Sequence, residues 1–194
     1  MPLVAVLEGL PGCGKTTAIE LMIRELNAEG LRAAAVDIDT APHASILREI
    51  THTLPLENLA RSMIFWAMRI MQYDVIQEMR GMDVIFMDRS WGSALAFDGY
   101  GNGVSLVFLE HIGASLAQPD IAFLFSAPLE VVRARKKSRT MQDIAFARRV
   151  EQGYAELAAE HGWILVDATQ TPESVKEHCL AIIHAALAQQ KLLS

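Results

Sequence analysis

Gly9-Leu10-Pro11-Gly12-Cys13-Gly14-Lys15-Thr16 fills every fixed position of the pattern G-x-x-x-x-G-K-[ST]. Glycines at this spacing let backbone N–H groups turn inward around phosphates, and a helix starting behind the loop adds the positive end of its dipole. Lys15 is then placed to reach the β- and γ-phosphates, with the Thr16 hydroxyl a ligand for Mg2+ and Thr17 continuing the phosphate-facing turn. Cys13 sits inside the loop at a helix N-terminus, a setting that lowers thiol pKa values, yet it reads more simply as a small residue that fits. An apolar strand precedes the loop and an amphipathic helix follows it, which is the context the motif needs. The implied ligand is a nucleoside triphosphate with Mg2+.

Two further clusters carry charge. Asp88 and Arg89 follow the apolar run Val84-Ile85-Phe86-Met87. Ligands of an open parallel sheet bind beyond the carboxyl ends of its strands, so this pair is expected to face the phosphate loop. Asp88 would hold Mg2+ directly or through water, and Arg89 would clamp a phosphate. Arg133, Arg135, Lys136, Lys137 and Arg139 place five cations within seven residues. Such a run is often only a solvated face. In a chain with a phosphate loop it can also close as a short lid, near residues 135–145, and neutralise charge on a transferring phosphoryl group.

The elements that must position these residues are legible. Leu3–Leu7, Asp83–Met87 and Ile121–Phe125 read as fully buried strands, with weaker strands at Ala33–Ile38 and Ile164–Val166. Each is followed by a segment with helical period: Ile19, Met22, Ile23 and Leu26 share one face, and Gly30 closes that helix. Pro128 and Pro172 sit where a first helical residue belongs, Pro172 with Thr171 as its N-cap. Residues Leu56 to Arg80 form a long helix that is apolar on more than one side, which requires a central place in the core or a covering subunit. The alternation predicts an α/β three-layer fold: a five-stranded parallel sheet flanked by helices, in a single domain spanning residues 1–194.

Composition narrows the function classes. A chain of 194 residues with 52 % hydrophobic and 21 % charged residues is neither disordered nor fibrous. A formal net charge of −6 disfavours a general nucleic-acid binder, which needs a basic surplus against phosphates. Two cysteines make no disulfide framework, so a reducing cytoplasm is expected. The start of the chain turns acidic at Glu8, too soon for a signal peptide, and no apolar run approaches the roughly 20 residues of a membrane span. The six histidines show no zinc-ligand spacing.

These pieces, in this order, resemble the thymidylate kinases, within the P-loop nucleoside monophosphate kinases, over most of the chain. Glu8-Gly9-Leu10 through Lys15-Thr16-Thr17 is similar to the family phosphate loop, and Phe65-Trp66-Ala67-Met68-Arg69 to its helix motif. Asp88 through Phe97 resembles its Asp-Arg-aromatic segment, Glu130 through Arg139 its basic lid, and Gly153-Tyr154-Ala155-Glu156-Leu157-Ala158 with Val166 to Gln170 its C-terminal part. The resemblance implies phosphoryl transfer from ATP to dTMP, in a homodimer packed through long helices. Lys15, Asp88, Arg89, Arg135 and Arg139 would serve the transfer, and Thr169 and Gln170 would lie near adenine. Phe65 would stack on the pyrimidine, Arg69 would contact it, and Phe97 would form a wall of the pocket.

Three departures fall on the acceptor side. Pro11 stands where the family carries an acid that meets the sugar 3′-hydroxyl. Asp37-Ile38-Asp39-Thr40-Ala41-Pro42 replaces the family's Arg-Glu-Pro-Gly-Gly. Asp98 stands where a Gln or Thr often meets the base, and the lid between Arg139 and Asp143 is short. Two other readings therefore stand beside dTMP. The acceptor could be a modified pyrimidine nucleotide, a nucleoside or another small alcohol, with Asp39 as general base for a hydroxyl; the Asp-Arg-Ser run is also similar to deoxynucleoside kinases. A monophosphate would instead draw on Arg48, Arg69 and Arg89. The remaining reading is an ATP-binding protein without turnover.

Overall fold

Strand-forming runs that are apolar on both faces have to lie inside a covered sheet, and three of the five strands do. The computed structural model describes residues 1–193, apart from the side chains of Arg139 and Leu193. The elements in chain order are β1 (Leu3–Glu8), α1 (Lys15–Ala28), β2 (Ala33–Asp37), a 3-10 turn at Ile38–Thr40, α2 (Ala44–Thr53), α3 (Asn58–Glu78) and β3 (Val84–Asp88). Then come α4 (Trp91–Ala94), which runs into a π-helix over Leu95–Gly101, α5 (Leu106–Gly113), β4 (Ile121–Ser126) and α6 (Leu129–Arg135). The chain closes with α7 (Arg139–Gln142), α8 (Ile144–His161), β5 (Ile164–Asp167) and α9 (Pro172–Leu193).

The sheet is parallel, in the order β2-β3-β1-β4-β5. Its register sets Leu7 beside Asp88 and Phe123, so the carboxyl ends of β1, β3 and β4 form one rim. The consecutive strands β3 and β4 lie on opposite sides of β1, so chain order reverses there; a crevice for ligands forms at such a point. The central strands are buried along nearly their whole length. The edge strands β2 and β5 alternate buried and exposed positions, and their weaker sequence signal follows from that half-burial.

Helix ends match the capping chemistry with one shift. The Thr171 hydroxyl accepts the Ser174 N–H at 3.2 Å in front of α9, a cap worth about 1 kcal/mol. Pro128, expected as a first helical residue, is instead the residue before α6, with extended ψ. The long helix is two residues shorter at each end than its apolar run. α3 buries Trp66, Tyr73 and Ile76 in the main core and Met68 against a second small cluster with Ala41 of the loop and Ala44 of α2. That double packing explains its two apolar sides, and Leu59 and Ile70 remain exposed. In the π-helix the Asn102 N–H reaches back to the Phe97 carbonyl at 3.0 Å, a wide turn that swings Phe97 and Asp98 toward the rim.

Candidate active site

The loop between β1 and α1 wraps a cradle of about 410 Å³ that also involves Asp88, Arg89, Arg135 and Lys136. Gly9 has φ +133°, and a Cβ there would stand 2.4 Å from the Phe125 carbonyl oxygen; Gly12 has φ +97° and a Cβ would meet the Val132 carbonyl oxygen at 2.8 Å. No other residue type fits either position. Lys15, 5 % exposed, donates from Nζ to the carbonyls of Gly9 and Leu10, each at 3.0 Å. Cys13 is buried and its thiol is pushed up in pKa by that burial, so it is packing within the loop.

Asp88 and Arg89 reach the loop from β3. The Thr16 hydroxyl donates to Asp88 Oδ2 at 2.8 Å. This pair is an all-oxygen donor set open to the cradle. It suits a hard cation that keeps some waters and borrows phosphate oxygens, and among the described residues no cluster of three or more His, Cys, Asp or Glu builds an all-protein cage. Arg89 adopts φ +75°, a left-handed backbone rare for a side-chain-bearing residue. That turn sends its side chain back across the sheet end, where Nη1 donates to the Gly9 carbonyl at 2.8 Å, and the guanidinium lies 5.4 Å from the centre of the Phe97 ring.

On the far side of Pro11, Asp88 and Arg89 lies a second cavity of about 450 Å³. Those three residues line both spaces, so the two cavities meet there. Phe65 and Phe97, both half-buried, form its apolar walls. Arg69 also faces it, only 5 % exposed, and its Nε and Nη1 have no hydrogen-bond partner. Among the described residues no carboxylate lies within ion-pairing distance of it, and burial depresses its pKa. Asp98, 8 % exposed, accepts the Ser62 hydroxyl at 2.8 Å, and burial raises its carboxyl pKa. Asp39 lies on the 3-10 turn beyond β2 and is ion-paired to Arg48 at 2.6 Å; both line the cavity. Thr140 of α7 lines it too, so the lid segment stands at its mouth.

The opposite end of the cradle opens into a space of about 250 Å³ bounded by Gly14, Thr17, Phe125, Arg135, Gln170 and Val175. Arg135 is exposed and donates from Nη1 to the Ala168 carbonyl at 2.7 Å. Gln170 borders the space, whereas Thr169 turns its hydroxyl onto Asp167 Oδ1 at 2.6 Å and is not among the lining residues. Bonds from the Thr169 and Gln170 side chains hold the Asp167 carboxyl down to about 2. Of the other lid cations, Arg133 is used to hold the Met141 carbonyl at 3.1 Å, and the Arg139 side chain lies outside the described residues. A larger groove of about 620 Å³ sits at the amino ends of the strands, near Met1, Met82 and Asp120, remote from all of this chemistry.

A sequence model of the thymidylate kinases matches residues 7–179. The chain belongs to the thymidylate kinase family. It is 31 % identical to a thymidylate kinase from Synechococcus sp. (strain WH7803) over 94 % of its own length and 96 % of the relative's. To a thymidylate kinase of Synechococcus sp. (strain CC9605) the identity is 32 %, over 88 % and 91 %. A probable thymidylate kinase of Caldivirga maquilingensis is 26 % identical over 91 % of each chain. The chain is accordingly an ATP-dependent nucleoside monophosphate kinase of the P-loop α/β fold.

Sequence reasoning passed over three residues of this thymidylate kinase site. Arg61 lines the second cavity from α3, and Ser62 on the same helix supports it by holding Asp98. Glu8, quoted above only as part of the loop, is fully buried at the end of β1. The available signal was an acid closing an otherwise apolar strand, since an unpaired buried carboxylate is too costly to be incidental.

Lys15 gives the site a pH signature. Burial, and secondarily the Arg89 charge, push its pKa down to about 7. A triphosphate in the cradle favours the ammonium and draws that value back up. Triphosphate binding should therefore take up roughly one proton at pH 8 and weaken by up to about tenfold per pH unit above 7, while staying flat below it. The sign for the free fold is opposite. Its lysine binds fewer protons than the unfolded chain between about 7 and 10.5, so stability rises with pH across that window. Calorimetry of a non-hydrolysable ATP analogue in buffers of different ionisation enthalpy measures the uptake; no buffer dependence at pH 8 would remove Lys15 from the triphosphate contact.

Proposed function

We propose that this chain transfers the γ-phosphoryl group of ATP to dTMP, giving ADP and dTDP. The observation that carries the reading is the unpartnered Arg69 guanidinium in an aromatic-walled cavity that joins the phosphate cradle at Pro11, Asp88 and Arg89. A buried cation without an anion is costly, and a pyrimidine carbonyl is the kind of acceptor that offsets it. Phe65 supplies a face for the ring to stack on, with Phe97 opposite the guanidinium of Arg89.

The transfer needs little covalent help from the protein. An anionic oxygen of the dTMP phosphate attacks the γ-phosphorus, and the bond from that phosphorus to the β–γ bridging oxygen breaks, its electron pair leaving on ADP. The nucleophile carries no proton, so no general base is required. The role left to the protein is to align and to neutralise charge. Lys15 would shift from its two loop carbonyls to the β- and γ-phosphates, Arg89 would span the boundary where the phosphoryl group crosses, and Arg135 would release the Ala168 carbonyl to close on it. Arg48, whose Nε is buried without a partner, would take the acceptor phosphate beside Arg89. Thr16 and Asp88 would hold Mg2+, which would supply neutralising charge to the triphosphate.

The nucleoside reading is not favoured, because the chain matches the thymidylate kinases over residues 7–179. Pro11 presents no acceptor side chain to a sugar hydroxyl at the cavity boundary, so side-chain recognition of the sugar falls to other residues of the same cavity. A homodimer packed through long helices is supported by Leu59 and Ile70 on α3 and by Val107 and Phe108 on α5, all exposed apolar side chains. A cytoplasmic setting is supported by two free, buried cysteines, and no described helix is long and apolar enough to cross a membrane. The deciding experiment is ADP release from ATP·Mg2+ against dTMP, dUMP, dCMP, UMP, AMP and thymidine, on material sized by sedimentation. Turnover of dTMP should exceed that of every other acceptor by at least about tenfold, from a dimer. Preference for thymidine or another nucleotide would replace the acceptor, and a monomer would remove the dimer.

A further inference from the structure

Glu8 has no access to solvent or ligand, yet it collects more hydrogen bonds than any other carboxylate around the site. Oε1 accepts the Ser90 N–H at 2.7 Å, the Ser90 hydroxyl at 2.8 Å and the Ser93 N–H at 3.2 Å. Oε2 accepts the Ser93 hydroxyl at 2.5 Å and faces the Tyr154 hydroxyl at 3.3 Å. The two hydroxyls are themselves 2.7 Å apart. Arg89 meets both: Nη1 lies 2.8 Å from the Tyr154 oxygen and 3.2 Å from the Ser93 oxygen. With the Ser93 proton on Glu8 Oε2, the Tyr154 proton is shared between the Ser93 oxygen and Oε2, and each hydroxyl keeps a lone pair for the guanidinium.

We infer that Glu8 is a positioning residue for the phosphoryl-transfer step, acting on Arg89 through the hydroxyls of Ser93 and Tyr154. The arrangement separates two tasks that a direct ion pair would confuse. A carboxylate against Arg89 would satisfy the guanidinium and compete with phosphate. Held one hydroxyl away, Glu8 fixes the direction of the acceptors on Nη1 and leaves Nη2 and Nε for ligand. Every hydrogen bond that Arg89's side chain makes uses Nη1, and that atom also holds the Gly9 carbonyl, which ties the arginine's position to the phosphate loop. Tyr154 adds a link to α8, the helix that follows the lid segment, so the element behind the lid bears on the same nitrogen. The positive φ of Arg89 places the side chain in reach of this network, and the network in turn holds that strained backbone.

The inference rests on Arg89 serving the transfer described above, and the test separates the two. Glu8→Gln and Tyr154→Phe are measured for kcat with ATP and dTMP, each in the wild-type and the Arg89→Lys background, together with ATP-analogue affinity and melting temperature. In the wild-type background each should lower kcat by roughly tenfold or more while affinity for the analogue stays within about threefold. In the Arg89→Lys background the same changes should alter kcat by less than about twofold, because the group they position is gone. Equal losses in both backgrounds, or wild-type rates in the single variants, would overturn the inference and leave Glu8 a structural group. Tyr154→Phe keeps the buried ring and decides the matter alone if Glu8→Gln does not fold. Failure of the functional reading looks different: the unmodified protein then makes no dTDP, and the same cycle is read on acceptor-free ATP hydrolysis.

Discussion

Lys15→Ala should abolish dTMP phosphorylation, by about a thousandfold or more in kcat, in a protein that folds as well as the wild type or better. The functional half of the expectation follows from position. Lys15 is the cation at the floor of the phosphate cradle, and its two present partners are loop carbonyls that a triphosphate displaces. Charge that develops on the β–γ bridging oxygen would then have no fixed ammonium to meet it. The structural half follows from the same burial. A lysine whose pKa is pushed down to about 7 is one whose charged form the fold does not favour, so truncation removes a cost in the free protein. Two buried carbonyls lose a donor, but each keeps another: Gly9 holds Arg89 Nη1 at 2.8 Å and Leu10 the Cys13 N–H at 3.4 Å. ADP release with dTMP and a thermal melt, run on the same preparation, check the two halves. Activity within about tenfold of wild type would remove Lys15 from the mechanism, and an unfolded variant would make it a structural lysine.

The donor half of the site was legible in the sequence because it depends on backbone. A glycine loop between a buried strand and a helix can be written in few ways, and Gly9 and Gly12 admit no Cβ where they stand. The sheet was legible for a related reason: strands covered on both faces are continuous apolar runs, and the central three differ from their sequence limits by a residue. Pairings between side chains distant in the chain were not legible. Nothing near Asp39 says that Arg48 will neutralise it, and nothing near Thr169 says that Asp167 will claim its hydroxyl. Glu8 was passed over because its meaning lies in Ser90, Ser93 and Tyr154, from 82 to 146 positions away. The apolar breadth of α3 was read correctly as a demand for cover, yet part of that cover is a small cluster under α2 that no periodicity could locate.

Arg69 joins what sequence and structure each contribute, and its replacement has two effects of opposite sign. Arg69→Met should raise the KM for dTMP by roughly a hundredfold, leave affinity for an ATP analogue unchanged, and raise the melting temperature of the free protein. In the chain, Arg69 is a charge within a run of apolar residues from Met63 to Met71, which requires a partner of some kind. In the fold, that partner is not protein: Nε and Nη1 are buried without a hydrogen bond, and the nearest acids, Glu8 and Asp98, are committed to hydroxyls. Buried and unpaired at Nε and Nη1, the guanidinium lowers the stability of the empty site, and methionine fills similar volume at no such cost. Bound pyrimidine reverses the balance, because its carbonyl meets a donor already in place and already buried. The site thus holds in the fold a free energy that only ligand can recover, which is how a cavity walled by two phenylalanines becomes selective for a polar ring edge. Steady-state kinetics in dTMP and a melt without ligand measure the two effects. A variant that loses stability and dTMP affinity together would show that Arg69 is a packing residue after all, with its partner inside the protein.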